Sequence, residues 1–293
     1  MNEKVFLIAI NYNGFDDTAE FIDSVNKIDY PNYHTIIVDN ASTKGNIDVL
    51  SEKKNVTVIR SNTNLGFSGG NNLGINYALE HGADYIVLLN NDTLVEPNFL
   101  KCSIEYFRSN PRVGLLTGKI MYAKNKDTFW FAGGVLNKWR GRAYHIGSNE
   151  IDRGQYDTVK DISFCTGCLM IIPCKVLEKV GIMSEEYFLY YEDTEYSARF
   201  SENKYRMVYH PDVKIYHKVS ASTGGGSPVY NYYNWRNRLY FISEHIHGLK
   251  KISAYSFYIY EGIKRIITRD LPIEIFKRAI HDFHKNVKGK VNL

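Results

Sequence analysis

Several short stretches place an acid, amide or imidazole where an apolar run stops. Val38-Asp-Asn-Ala-Ser42 ends one run on a carboxylate, and Asn90-Asn91-Asp92 follows Tyr85-Ile-Val-Leu-Leu89, the most apolar run in the chain. Tyr187-Phe-Leu-Tyr-Tyr-Glu-Asp-Thr-Glu195 sets an aromatic patch directly before Glu192 and Asp193, and His217 follows Val213-Lys-Ile-Tyr216. Each residue type has a chemistry. Asp39 can accept a hydrogen bond from the imide N–H of a pyrimidine base. Asp92 can hold Mg²⁺ or Mn²⁺ against a diphosphate, because such hard cations need only one or two protein carboxylates besides phosphate and water oxygens. A carboxylate beside apolar surface, as Asp193 is, has its pKa raised and suits a general base. His217 can be a metal ligand. Each also has a plain structural use. Asp39 suits an Asx turn, Asp92 a cap for a helix beginning at Thr93, the acids at 192 and 193 the first turn of a helix, and His217 an interior ring.

The elements that must position these groups read as short apolar strands alternating with helices. Residues 4–10, 35–39, 56–60 and 85–89 are strand-like, and the turn Asn11-Tyr-Asn-Gly14 follows the first. A helix is expected from Phe15 to about Ile28, with Asp16, Asp17 and Thr18 as cap residues, and another over residues 70–81. Between the third strand and that second helix, residues 62–72 form a Gly/Asn-rich loop. There Gly66, Gly69 and Gly70 would let backbone approach a ligand, and the following helix N-terminus favours anions. Such alternation implies a parallel sheet covered on both faces, with ligands bound beyond the carboxyl ends of its strands. The polar residues fall at those ends, which points to one shared pocket.

Residues 162–172 read as a single buried strand, so Cys165 and Cys168 are expected to be structural despite their CxxC spacing. With only four cysteines there is no disulfide framework, and a net charge of +4 gives no case for nucleic-acid binding. No secretory signal is seen and no apolar run approaches the roughly 20 residues that span a bilayer, so a cytoplasmic protein is expected. From about residue 229 the spacing is helical. Between residues 250 and 290 ten basic residues outnumber four acidic ones, among many aromatics. That segment reads either as an interfacial helix reaching a membrane surface or as helices packed on the rest of the chain or on a second subunit.

In order and spacing, these stretches resemble the family 2 group of GT-A glycosyltransferases, and within it the bacterial rhamnosyltransferase-like members. The matching stretches begin with Ile10-Asn-Tyr-Asn13, Val38-Asp-Asn-Ala-Ser42, Asn64-Leu-Gly-Phe-Ser-Gly-Gly-Asn-Asn72 and Leu88-Leu-Asn-Asn-Asp-Thr93. They continue with Gly154-Gln-Tyr156, Thr166-Gly-Cys-Leu-Met170, Phe188-Leu-Tyr-Tyr-Glu-Asp193, His217 and Tyr233-Asn-Trp-Arg-Asn237, over about residues 4–240. The resemblance implies an α/β GT-A fold, a Rossmann-like, mostly parallel sheet flanked by helices, with a helical C-terminal segment. Residues 1–228 would be the catalytic domain, with a nucleotide-binding half (1–113) and an acceptor half (114–228). Residues 229–293 would form the basic and aromatic helical segment.

The resemblance also implies roles. Asn11, Asn13 and Asp39 belong to the nucleoside pocket, with Asn64, Gly66 and Asn71 lining it and Asn91 near the ribose. Asp92 ends the DxD motif as a ligand of Mg²⁺ or Mn²⁺, and His217 is the second ligand. Asn90 departs from the motif's first acid; it keeps a carbonyl oxygen but lacks the charge, which lowers the expected metal affinity. Asp193 is the base that deprotonates the acceptor hydroxyl, supported by Glu192, and Trp130, Trp139 and Tyr144 lie where the family binds acceptors. The implied reaction is inverting transfer from a dTDP- or UDP-sugar, with dTDP-rhamnose favoured, to a glycan or lipid-linked acceptor. It would take place in the cytoplasm or at the inner membrane face, and a homodimer is an open reading. A nucleotidyltransferase would instead show a Gly-rich basic loop after its first strand, where this chain has Asn11-Tyr-Asn-Gly14. A non-catalytic carbohydrate- or nucleotide-binding protein would have no use for Asp92, Asp193 and His217 together.

Overall fold

β1 (Val5–Asn11) is flanked in parallel by β2 (Tyr33–Asn40) and β4 (Tyr85–Asn90), and β3 (Val56–Ser61) lies in parallel beyond β2. The crossovers are α1 (Phe15–Val25), a 3-10 turn at Ile47–Glu52, and α2 (Gly66–Glu80). Side chains alternate across a strand, so Val5, Leu7 and Ala9 enter one apolar cluster while Phe6 and Ile8 enter another on the opposite face. A strand buried on both faces is apolar throughout, which is why β1, β2 and β4 were legible as runs. A computed structural model describes residues 2–219 and 226–293.

The other half of the sheet is mixed. β6 (Val113–Tyr122) runs parallel to β12 (Arg206–His217), whereas β11 (Leu169–Pro173) lies antiparallel between β4 and β6. With β10 (Lys160–Ile162) at its edge, the sheet order is β10-β12-β6-β11-β4-β1-β2-β3. β5 (Thr93–Val95) adds antiparallel to the end of β12, and β7 (Phe129–Phe131) to β6. A separate hairpin pairs β8 (Gly134–Asn137) with β9 (Arg142–His145). The remaining helices are α3 (Phe99–Ser109), α4 (Cys174–Val180), α5 (Glu192–Glu202), α6 (Pro228–His245), α7 (Gly248–Ile267) and α8 (Ile273–His284). Tyr232, Trp235, Tyr258 and Ala279 of the C-terminal helices join the same buried cluster as Val5 and Leu7. Among the described residues, no helix is long and apolar enough to cross a membrane.

β12 is bulged. His210 pairs with Gly118 and Lys214 with Lys119, so residues 211–213 loop out over a single step of β6. A Cβ on Gly118 would sit 1.7 Å from the Val213 carbonyl oxygen, so only glycine lets the bulge lie down on β6.

Four local expectations change. α2 begins at Gly66, so most of the expected glycine loop is helix. Its glycines bring the helix against the sheet: a Cβ would sit 2.4 Å from Ile8 at Gly74 and 3.0 Å from Ile10 at Gly70. Thr93 begins a strand, not a helix, because pairing with β12 outweighs local cap chemistry. Residues 162–172 are two strands broken by a turn, with all four cysteines free and the two in this stretch buried. No side chain caps α1; Thr18 instead donates to the Gly14 carbonyl at 2.9 Å and to Asn11 Oδ1 at 3.0 Å.

Candidate active site

The carboxyl ends of β1 and β2 are tied together by amide chemistry. Asn11 is fully buried and donates Nδ2 to Asp39 Oδ1 at 2.9 Å and to Ser42 Oγ at 3.0 Å. Its Oδ1 takes the Thr18 hydroxyl, and Thr18 Oγ1 in turn accepts Asn91 Nδ2 at 2.9 Å. Asn13, in the left-handed region, accepts the backbone N–H groups of Thr43 at 2.8 Å and Lys44 at 3.0 Å and so holds the loop after β2. Asn11 thus orients Asp39, while Asn13 shapes the rim. Asn64 Oδ1 accepts the Gly66 N–H at 2.9 Å, and Asn40 bridges Leu65 and Gly66. Asn71 lies inside α2, buried, with its Nδ2 bonded to the Phe67 carbonyl.

At the end of β4 the chain enters β5, whose pairing with β12 brings Asp92 to His217. Asp92 Oδ1 and His217 Nε2 lie 3.1 Å apart, and Asn90 Nδ2 is 3.5 Å from the same Nε2. Burial opposes charge on the His217 ring, but the Cys168 sulfur and the Asp92 carboxylate outweigh it and raise the pKa to about 10. Burial pushes the Cys168 thiol up as well. One hard carboxylate and one imidazole converging on a point fit a Mg²⁺ or Mn²⁺ ion that draws its remaining ligands from phosphate and water. No group of three or more His, Cys, Asp and Glu converges among the described residues, so any ion here leans on its substrate.

Asp193 opens α5, partly exposed in its recess. Its Oδ2 accepts the Gly167 N–H at 3.3 Å and its Oδ1 the Thr194 hydroxyl at 3.2 Å. Burial raises its pKa to about 6 against those hydrogen bonds. Burial, and then the Asp193 charge, push Glu192 well above the usual carboxylate range; its Oε2 has no hydrogen-bond partner among the described residues. Phe188, Tyr190 and Tyr191, just before these acids, have φ of 64°, 63° and 70°. Non-glycine residues reach that region at about 1–2 kcal/mol each, so the loop needs outside support.

The support comes from Asn237 on α6. Its Nδ2 lies 2.7 Å from the Tyr187 carbonyl and 2.8 Å from those of Leu189 and Tyr190, while its Oδ1 takes the Arg236 Nε–H. The C-terminal tail adds to this: Gly289 donates its N–H to the Glu186 carbonyl and accepts from Arg236 at 2.9 Å. On the other side the Phe67 N–H bonds the Phe188 carbonyl at 2.8 Å, and a Cβ on Gly66 would sit 2.2 Å from that oxygen. Gly66→Ala is therefore expected to cost about 1–3 kcal/mol in urea unfolding. Gly82→Ala is the control: φ is +72° there but space is open, so only the backbone strain is lost. Equal losses in the two variants would remove the Gly66–Phe188 contact as a constraint.

The expected acceptor residues separate. The Trp130 ring stands edge-on to His217 at 4.5 Å, beside the Asp92–His217 pair. Tyr144 and Trp139 lie on the β8–β9 hairpin, Tyr144 under Arg142 and Trp139 half-exposed under Lys250 of α7. The remaining groups form one connected path. It runs from Asp39 through Asn11, Thr18 and Asn91 to Asp92 and His217, then across Cys168 and Gly167 to Asp193. The sequence marked Thr18 only as a cap and held Ser42, Gly167 and Asn237 only within matching stretches, with no site role for any of them. Asn237 is an amide at the four-residue spacing of Tyr233 and Phe241 on an otherwise aromatic buried face.

The chain is 24% identical over 300 residues to the dTDP-rhamnosyl transferase RfbF of Shigella flexneri, covering 99% of this chain and 97% of that relative. The mannosyltransferase PcManGT of Pyrobaculum calidifontis, solved with GDP-Man and Mn2+, superposes with a TM-score of 0.59 at 16% identity, over 87% of this chain and 70% of that one. GalNAc-T7, solved with UDP, GalNAc and Mn2+, gives 0.67 at 13% identity, over 83% and 48%. At such identities these two structures speak to the fold, a GT-A architecture. The description Glycosyl transferase family 2 matches residues 6–181, well over half of the chain, and to that family of glycosyltransferases the protein belongs.

Proposed function

We propose that the chain transfers a hexose, L-rhamnose from dTDP-rhamnose, with inversion onto a hydroxyl of a glycan or lipid-linked acceptor, in the assembly of a cell-surface polysaccharide at the cytoplasmic face of the membrane. The observation that carries this reading is the connected path from Asp39 to Asp193, which supports reading Asp39 as the base-binding acid, Asp92 and His217 as the cation pair and Asp193 as the general base. The full-length relative named as a dTDP-rhamnosyl transferase supports the choice of donor.

In this reading Asp39, oriented by Asn11, accepts the imide N–H of thymine, and Asn91 lies against the ribose. Asp92 and His217 hold the cation, which when bound neutralises charge on the departing diphosphate. Asp193 takes the proton from the acceptor hydroxyl as its oxygen attacks the anomeric carbon. The bond from that carbon to the diphosphate oxygen breaks on the opposite face, and dTDP leaves with the electron pair. One base and one displacement need no covalent sugar–enzyme intermediate. Burial and the Asp193 charge push the Glu192 carboxyl well above the usual range, which disfavours a second charge beside the base.

Uracil presents the same imide as thymine, so the test is a panel of dTDP- and UDP-sugars with Mn²⁺, with Mg²⁺ and with chelator. The expected outcome is metal-stimulated release of dTDP from dTDP-rhamnose, with other donors slower by roughly tenfold or more. Release of UDP alone would replace the donor while keeping the reaction class. Binding of no nucleotide sugar under any condition would end the transferase reading.

A further inference from the structure

α7 carries an apolar stripe that no other part of the described fold covers. Leu249 and Ile267 at its ends are 75% and 74% exposed, and Ile252, Ile259, Tyr260 and Ile263 fill the turns between at helical spacing. The stripe runs about 27 Å along one face, broken only by Ser256. The opposite face holds the helix in place, with Ala254, Tyr258 and Gly262 buried and Tyr258 stacked on Phe276. Packing therefore does not require the exposed isoleucines, and a continuous apolar surface of this length marks a docking face.

Its border is basic. Lys250 and Lys264 flank the stripe, exposed, and Arg269 lies beyond its end. The one acid of α7, Glu261, points away and is paired with Arg142 at 2.6 Å and Arg238 at 2.7 Å. Half-exposed Trp139, under Lys250, adds an amphipathic aromatic to the same edge, as Tyr260 does within the stripe. An apolar cleft of about 260 Å³, lined by Leu239, Tyr255, Ile280 and Phe283, opens at Ile259.

We propose that this face docks on an anionic phospholipid bilayer, with the isoleucines at the acyl boundary and the lysines among the head groups. A second copy of the chain is the poorer occupant, because a two-fold pairing of the stripes would bring the basic borders together. The buried face of α7 connects it to the chemistry: Gly141 at the hairpin tip lies against Ala254, and its carbonyl accepts the Tyr191 hydroxyl, one residue before Glu192, at 3.1 Å. This deepens the reading of a lipid-linked acceptor by naming the surface that meets the lipid.

The test is cosedimentation of the full chain with vesicles of phosphatidylcholine alone or with one third phosphatidylglycerol, at low and high salt. Wild type is expected to bind the anionic vesicles at least about tenfold better than the neutral ones, and less at high salt. The double variant Ile252→Glu/Ile263→Glu, with unchanged thermal melting and donor hydrolysis, is expected to lose at least about tenfold of that binding. Lys264→Glu/Arg269→Glu should lose the preference for anionic lipid. Wild type that ignores anionic vesicles, or isoleucine variants that bind like wild type, would overturn the proposal. So would a dimer in sedimentation velocity that the isoleucine variants abolish, since a second copy would then own the stripe. Vesicle binding without transfer to any lipid-linked acceptor would instead defeat the acceptor reading and leave the docking face standing.

Discussion

Asp193→Asn is expected to lower kcat by roughly 10²–10⁴-fold, the span general-base catalysis contributes, while nucleotide binding stays near wild type. The amide is nearly isosteric: its oxygen can still accept the Gly167 N–H while its NH2 faces the Thr194 hydroxyl, but it cannot take the acceptor's proton. Burial raises the Asp193 pKa to about 6, so wild-type activity is expected to climb with pH through about 6 as the base loses its proton. Stability runs the opposite way. The folded carboxyl holds its proton more tightly than the unfolded one, near 3.9, so this group costs stability progressively as pH rises from about 4 to 6. Above that range the cost is fully present, on the order of 1–2 kcal/mol because the carboxylate keeps some contact with solvent. The same variant should therefore be dead in transfer yet more stable than wild type at pH 7.5. Transfer kinetics and urea unfolding at pH 5 and 7.5 check both; a variant that keeps a tenth of wild-type kcat would remove Asp193 as the base.

Asn237→Ala is expected to be the most damaging substitution far from the reacting atoms. It removes the side-chain donor that faces three carbonyls in a loop already carrying three left-handed residues; the Tyr187 carbonyl keeps only the Leu189 N–H. Leaving buried acceptors unpaired costs about 1–3 kcal/mol each before relaxation, so a loss of about 2–4 kcal/mol overall is expected in urea unfolding. In the protein that remains folded, the loop relaxes away from left-handed φ and the start of α5 moves with it. kcat should then fall by tenfold or more, since displacements of about 1 Å at a base are that costly. Donor KM should hardly change, because Asp39, Asp92 and His217 are carried by other strands. Asn237→Gln, which keeps a donor on a longer arm, should recover part of kcat. Equal falls in kcat and donor affinity would mean that Asn237 supports the whole fold and not the placement of the base.

Legibility followed chain locality. β1, β2 and β4 were readable because strands buried on both faces must be apolar throughout, and polar residues break each run abruptly at its end. Asp39 and Asp92 stand out for that reason, and Asp193 because an aromatic patch runs up to it. The glycines of α2 misled because a glycine that permits helix–sheet contact looks, in sequence, like one that permits a ligand. Thr93–Val95 reads as a helix start until β12, more than a hundred residues on, offers it a partner. Asn237 is the extreme case. Its partners lie about fifty residues upstream, and no local rule distinguishes a helix-buried amide that clamps a loop from one that packs quietly.

The bulge in β12 bears on how such a chain can vary. Side chains alternate across a strand with a period of two, so any change of one residue between His210 and His217 turns every later side chain to the other face. His217 would then point away from Asp92, although neither residue had been altered. The three residues looped out over Gly118 act as a phase setting for the pairing of His217 with Asp92. Single-residue insertions and deletions in this stretch should be barred as firmly as replacement of His217 itself.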